Sequence, residues 1–458
     1  MKSKRNHQPW KVAHLASGLN SFLVRCIAVG ALGGLLFGFD TAVIAGTTHA
    51  LTALYQLSPG ELGFTVSSAL WGTVLGAMLA GMLGDRLGGR DSLRILAACY
   101  IVSALGCAFA FNWPALILFR FIGGLGIGGS SVLGPVYIAE IAPARWRGRL
   151  VGCFQINIVV GILAAYLSNY LIGLAGFGAY EWRWKLGIAG LPAILFLAML
   201  FGIPQSPRWL VTKNRIKEAG EVLQQLRSGS AFGELREITD SIHPEKLAGS
   251  ESLFQAKYRR PIFLAVSIAM FNQLAGVNAI LYYLNDIFAM AGFGKVSSDL
   301  QAVAIGAMNL LATFVAMALI DRIGRRMLLL IGSVGLAVCL AGVSLIFLLH
   351  AYQRWLVVLL VGYIGFFAVS QGAVIWVFIG EVFPNRVRAK GQALGSSTHW
   401  VMNAAISGIF PLLAARSGAY PFVFFTFMVV LQFVVVFFCY PETKGLTLEE
   451  LQNKLAVS

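Results

Sequence analysis

Twelve stretches of about 20 mostly apolar residues, joined by short polar segments, constrain this chain more than any other feature. They lie near 20–45, 62–83, 92–111, 114–139, 150–174 and 186–203, then near 261–290, 298–320, 327–349, 356–381, 391–414 and 418–440. About 20 apolar residues wound as an α-helix cross the hydrocarbon of a bilayer. Inside lipid, a helix satisfies its own backbone hydrogen bonds. A chain of 458 residues that is 58% hydrophobic and only 12% charged fits no water-soluble class. The expected fold is therefore all-α: twelve transmembrane helices in two six-helix bundles, 1–203 and 261–458. A cytoplasmic helical linker, 204–260, separates them.

Lysine and arginine outnumber acids 35 to 20, but they fall in short clusters between apolar segments, which argues against nucleic acid as a partner. The clusters Arg86/Arg90/Arg94, Arg145/Arg147/Arg149, Arg208 through Arg260, Arg322/Arg325/Arg326 and Arg386/Arg388/Lys390 occupy alternate loops. The opposite loops hold only scattered Arg183, Lys185, Lys295, Arg354 and Arg416. Such asymmetry predicts that both termini and the linker face the cytoplasm. The first apolar stretch is too long for a signal-peptide core and lacks a cleavage pattern, so it reads as a retained helix. Six isolated cysteines without histidine partners predict small core residues and no metal.

In the linker, Ile216, Ala219, Val222, Leu223 and Leu226, then Leu235, Ile238 and Ile242, recur at helical spacing and predict short amphipathic helices packed on the membrane domain. The two bundles also repeat one another. Gly81-Met-Leu-Gly84-Asp85-Arg86-Leu-Gly88-Gly89-Arg90 answers to Leu319-Ile-Asp321-Arg322-Ile-Gly324-Arg325-Arg326. Glu140-Ile-Ala-Pro143-Ala-Arg-Trp-Arg147 answers to Glu381-Val-Phe-Pro384-Asn-Arg-Val-Arg388. Acid and base at neighbouring helix ends make a latch that pairs in one conformation and parts in another. The expected latch residues are Asp85, Arg86, Arg90, Glu140, Arg147, Asp321, Arg322, Arg325, Glu381 and Arg388.

These paired motifs, with Pro204-Gln205-Ser206-Pro207-Arg208 after the sixth segment and Pro441-Glu442-Thr443-Lys444-Gly445 after the twelfth, resemble the sugar porter family of the major facilitator superfamily. The resemblance covers nearly the whole chain. Three departures touch the latch: Gln205 where the family has glutamate, Gly89 delaying the arginine of the first motif, and Ala389 in place of a glycine.

Within the apolar segments, a lone charge costs about 2.5–3.5 kcal/mol at mid-bilayer and so normally faces a cavity or a partner. Asp40, in GLLFGFDTAVI, and Arg120 are the natural pair. Desolvation and a nearby arginine act oppositely on an aspartate, so moving Arg120 relative to Asp40 changes proton affinity. Both a proton-coupling role and a static ion pair remain open on these residues alone. The resemblance favours coupling, because the acid and arginine stand where proton-coupled members carry them. After Arg120, Gly124, Gly126 and Gly129 match G-x-G-x-x-G, but inside a long apolar helix this reads as close helix packing.

A sugar needs amides for its hydroxyls and an aromatic face for its C–H surface. Gln155, Asn272, Gln273, Asn278, Tyr282, Tyr283, Asn309, Gly372, Trp376, His399 and Trp400 supply these groups in the fifth, seventh, eighth, tenth and eleventh segments. Most of them match the family's sugar-site positions, as does Phe37, one helical turn before Asp40. Asn272 and His399 depart, where the family carries glutamine and usually an amide. His399 also titrates near neutrality when unperturbed, which adds a candidate second proton group. The tyrosines of segment seven and Gly372/Trp376 are the expected moving gates.

The resemblance thus implies a transporter that imports a monosaccharide, a hexose or pentose, in symport with a proton by alternating access. A passive uniporter and a non-transporting sensor are the alternatives. No catalytic constellation points to an enzyme. The expected partners are the sugar, protons and the lipid bilayer, with no cofactor beyond the proton as coupling ion. The short termini and the lack of a glycosylation loop between segments one and two fit a bacterial inner membrane, and the chain is expected to work as a monomer.

Overall fold

The computed structural model describes residues 20–227, 232–245, 252–384, 386–445, 450, 451 and 455, with the side chains at 241–245 and 321 outside the description. The first six crossings are α1 (Ser21–Val43), α3 (Pro59–Leu87), α4 (Gly89–Ala108), α5 (Trp113–Ile141), α6 (Arg147–Ala175) and the paired α7 (Glu181–Gly187) and α8 (Gly190–Leu200). A short α2 (Thr48–Tyr55) follows α1. The linker forms α9 (Pro207–Thr212), α10 (Ile216–Leu226) and α11 (Phe232–Glu245). The seventh crossing is broken into α12 (Arg259–Leu274), α13 (Val277–Tyr282) and α14 (Leu284–Met290). Then come α15 (Lys295–Ile323), α16 (Arg325–Leu349), the tenth crossing as α17 (Leu356–Phe367) and α18 (Ala373–Glu381), α19 (Arg388–Arg416) and α20 (Tyr420–Cys439).

Length and apolarity alone mark 11 candidate spans, because α3 and α4 run together as one stretch, Pro59–Ala108. Gly88 separates them with φ +80, a left-handed conformation that glycine adopts without Cβ strain, and Gly324 repeats the device between α15 and α16 at φ +102. Twelve crossings result.

Several helices outrun the expected segments. α3 starts at Pro59 rather than 62 because Ser58 and Glu61 form a capping box around a proline in the first turn. The sixth crossing, expected from 186, begins with Glu181, and its first turns carry the charged yet buried Glu181 and Lys185. Apolar counting passes over both.

The linker's apolar stripe packs as expected: Leu226 joins a core with Leu23, Cys26 and Ile141, while Leu210, Ala219, Leu223 and Ile238 form a smaller cluster. Ile242 lies among the side chains outside the description. The six cysteines are free thiols, and Cys26, Cys107 and Cys339 are buried. The glycine run of α5 packs against α3: a Cβ on Gly124 would sit 1.9 Å from the Ala69 carbonyl oxygen. Only a residue without a side chain fits there, as the packing reading of that motif requires.

Candidate functional site

Asp40 on α1 and Arg120 on α5 meet in the protein interior. Arg120 Nη1 lies 3.6 Å from Asp40 Oδ1, with the arginine side chain 4% exposed and the aspartate 19%. That separation is an ion pair but longer than a charged hydrogen bond. The Arg120 Nε has no partner. A small cavity reaches both groups and is lined also by Phe37, Thr41, Leu70, Tyr282 and Trp400. Phe37 and Trp400 face each other across it, ring centroids 5.4 Å apart, so α1 of the first six crossings touches α19 of the last six here.

Beside this cavity, segment seven changes direction. Gly276, with φ +87, ends the run of α12 and starts α13, and a Cβ there would strike Phe425 at 2.3 Å. The break brings Asn278 against Gln273: Asn278 Nδ2 donates to Gln273 Oε1 at 3.0 Å, and Gln273 Nε2 donates to Asn272 Oδ1 at 3.0 Å. The same Gln273 Nε2 is 3.2 Å from His399 Nε2 and 3.3 Å from its Nδ1. His399 in turn sits between Trp376, at 5.0 Å, and Trp400, at 5.2 Å. Three amides, a histidine and two indoles therefore form one continuous wall. The Asn272 Nδ2 is buried without a partner, a free donor for a ligand hydroxyl.

The tyrosines expected as gates are both buried and tied to α19. Asn403 Nδ2 donates to Tyr282 Oη at 3.3 Å, and Tyr283 Oη donates to the Ser407 carbonyl at 2.9 Å. Tyr283 also stacks on Phe410 at 4.9 Å. In the tenth crossing Gly372 closes a π-helical turn, Ala368–Gly372, between α17 and α18. Such turns interrupt the regular ladder and suit a hinge. Gln155 on α6 and Asn309 on α15 stand apart: among the described residues no hydrogen bond joins their side chains to this wall. Sequence reasoning missed Asn403 and Thr41. The signal for Asn403 was available, since it lies four residues after His399 on the same helical face.

The latch residues divide unequally between the halves. Arg325 Nη2 pairs with Glu381 Oε1 at 3.0 Å, and Thr443 Oγ1 donates to the other Glu381 oxygen at 2.6 Å. In the first half, Gly89 occupies the position matching Arg325, so Glu140 meets Ser206 and the charge of Arg208 instead. Arg90, one residue later, pairs with its neighbour Asp91 at 3.0 Å, which also takes Arg94 at 2.8 Å. The Arg147 Nε has no partner, and Arg388 Nε donates to the Phe383 carbonyl at 3.3 Å. Asp85, Arg86 and Arg322 are exposed, and the Asp321 side chain is outside the description. The first half thus lacks the arginine–glutamate pair of the second, because Gly89 stands where the second half has Arg325.

The departure at Gln205 is accommodated. Glu442 accepts the backbone N–H groups of Arg325 and Arg326 at the start of α16, at 2.9 and 3.1 Å. Gln205 accepts the Arg90 N–H at 2.9 Å at the start of α4, and its amide donates to the Leu87 carbonyl at 3.0 Å and to Asp91 at 3.3 Å. Each caps the free N–H groups of a helix start. Asp91 supplies, in the first turn, the negative charge that glutamine lacks.

Among the described residues, no group of three or more histidine, cysteine or acidic side chains lies close enough to hold a metal ion.

Comparison with known proteins accords with this architecture. The profile of the "Sugar (and other) transporter" family matches residues 26–455. The chain is 37% identical to the arabinose-proton symporter of Bacillus subtilis (strain 168), over 94% of each chain. It is 33% identical to the xylose transporter XylE from E. coli in its inward-open conformation, with TM-score 0.84, covering 94% of this chain and 100% of that one. Against the proton:xylose symporter XylE bound to 6-bromo-6-deoxy-D-glucose the TM-score is 0.78, at 33% identity over 95% and 99%. The chain belongs to the sugar transporter family of the major facilitator superfamily, whose members are transporters rather than enzymes.

Proposed function

We propose that this protein imports a monosaccharide, a pentose or hexose, together with a proton. The observation that carries the reading is the Asp40–Arg120 pair in the same cavity as Phe37, Tyr282 and Trp400. Opposite charges about 4 Å apart at an effective dielectric of about 20 attract by roughly 4 kcal/mol. Protonating Asp40 removes an attraction of that order and frees Arg120. Sugar binding draws Phe37, on the same helix, and Trp400, on the facing half, toward one ligand. Proton and sugar thereby act on one contact between the halves, which is the requirement for coupling.

The wall of Asn272, Gln273, Asn278, Trp376, His399 and Trp400 is the sugar-binding surface in this reading. His399 touches an amide and two indoles and no carboxylate, so it holds a sugar hydroxyl rather than a second proton. Tyr282, Tyr283 and the π-helical turn at Gly372 move as the gates. Gln155 and Asn309 join the sugar only as the halves shift. Arg325 and Glu381, with Glu140 and its neighbours, form the cytoplasmic latch.

The basic loops lie in the cytoplasm with both termini, and the protein works as a monomer in a bacterial inner membrane, with the proton as its only coupling ion. The conformation is inward-facing, in keeping with the higher similarity to the inward-open relative. Uptake of labelled xylose, arabinose and glucose into proteoliposomes, with and without an imposed pH gradient, tests the reading. Gradient-driven accumulation supports it; counterflow without accumulation makes the protein a uniporter, and binding without either makes it a sensor.

A further inference from the structure

A second group of buried charges lies at the face opposite the basic loops. Lys185 on α7 is 0% exposed, Asp299 on α15 2% and Glu181 on α7 6%. Lys185 Nζ is 2.8 Å from Glu181 Oε1 and 3.4 Å from Asp299 Oδ2, and it donates to the Gly46 carbonyl at 3.1 Å. Lys295, also on α15, pairs with Glu181 Oε2 at 2.5 Å, and Asn285 on α14 donates to Asp299 Oδ1. Gly46, Glu181 and Lys185 belong to the first six crossings. Asn285, Lys295 and Asp299 belong to the last six.

An orientation anchor needs its charge in water, which Lys185 lacks. A structural pair that only neutralises a buried lysine is already made within α7 by Glu181. The links from Lys185 to Asp299 and from Glu181 to Lys295 are additional, and both join the two halves. The halves also touch nearby without charge. A Cβ on Gly63 of α3 would stand 2.0 Å from the Gly408 carbonyl of α19, and Tyr166 Oη donates to the Leu281 carbonyl at 2.8 Å. Opening this face must separate all four contacts.

The spacing makes that separation feasible. Glu181 and Lys185 are four residues apart on α7, and Lys295 and Asp299 are four apart on α15. Acid and base at that spacing face one another on a helix. When the halves part, each helix retains one acid and one base, and neither half keeps an unpaired buried ion, which would be strongly unfavourable. Closed, the two pairs dock with acid against base.

We propose that Glu181, Lys185, Lys295 and Asp299 form a breakable latch for the outer gate. It holds that face shut in the conformation described here and gives up its two cross-half pairs when the face opens, while the Glu181–Lys185 pair persists within α7. This rests on the orientation and alternating access of the proposed function.

The test uses the full chain in lipid nanodiscs, its six cysteines replaced by alanine. Spin labels go on exposed positions at the outer face, Leu54→Cys with Arg354→Cys, and separately near the basic face, Met82→Cys with Met327→Cys. Pulsed electron resonance then reads both distances. Asp299→Asn and Glu181→Gln are isosteric, and each removes one cross-half ion pair. Each is expected to raise the ratio of long to short outer distances roughly fivefold or more, the lower range of ordinary site-to-site coupling, while the inner distance shortens. The double variant is expected to exceed either single one. Unchanged outer distances in folded variants would overturn the latch, provided the parent's distances respond to xylose or pH. A parent whose distances never respond would instead contradict the transport reading on which the latch depends.

Discussion

Asp40 and Arg120 approach to 3.6 Å on two helices of the same half, while Phe37, one turn before Asp40, touches Trp400 of the other half at 5.4 Å between ring centroids. The charged pair and the contact between halves are thus one helical turn apart. In the proposed mechanism, a change of charge at Asp40 therefore acts beside the contact between the halves.

The amide of Gln273 is the hub of the proposed sugar wall, reaching Asn272, Asn278 and His399. Gln273→Ala takes this partner from all three groups, and each buried group left unpaired costs about 1–3 kcal/mol. Equilibrium binding of labelled sugar is expected to weaken by roughly tenfold or more, and the empty protein is expected to melt at a lower temperature. Parental affinity would remove Gln273 from the site.

His399 is expected to set preference rather than coupling. His399→Gln restores the amide usual at this position and changes the donor and acceptor pattern facing the ligand. The ratio of pentose to hexose uptake should shift, and the pH profile of uptake should keep its shape. A flattened profile would give the histidine a part in proton transfer.

The unequal latch has a kinetic consequence. Glu381 holds both Arg325 and Thr443, whereas Glu140 has no arginine at the matching position. A partly exposed pair is worth about 1 kcal/mol or less. Glu381→Gln is expected to change the rate of sugar exchange several-fold, and Glu140→Gln to change it less. Equal effects would contradict the role assigned to Gly89.

Packing offers a control independent of transport. Gly124→Val drives a side chain into the Ala69 carbonyl and is expected to cost about 1–3 kcal/mol or more. Gly81→Ala meets nothing within 4 Å and should leave thermal unfolding unchanged or slightly raised. Fluorescence-detected melting distinguishes the two.

The twelve crossings were legible because lipid demands long apolar helices, and the duplicated motifs exposed the two halves. The Asp40–Arg120 pair was legible for the same reason: charges are rare in such helices and must find each other. What escaped was anything decided between helices. Lys185 looked like a scattered loop charge, because a lysine beside a membrane normally dissolves in water, and nothing local reveals that Asp299 comes to meet it. The departure at Gly89 was visible in the sequence, but that Ser206 and Arg208 stand beside Glu140 instead shows only in space. The break in segment seven at Gly276 lies inside a stretch, Ala256–Tyr282, that length and mean hydropathy mark as one continuous span.

The central claim is that Asp40 couples the proton to the sugar. The most direct measurement is sugar uptake by Asp40→Asn in proteoliposomes, beside the parent, with an inward proton gradient and then in counterflow without one. The account predicts that the variant loses gradient-driven accumulation and keeps counterflow. Accumulation against a sugar gradient by Asp40→Asn would contradict it.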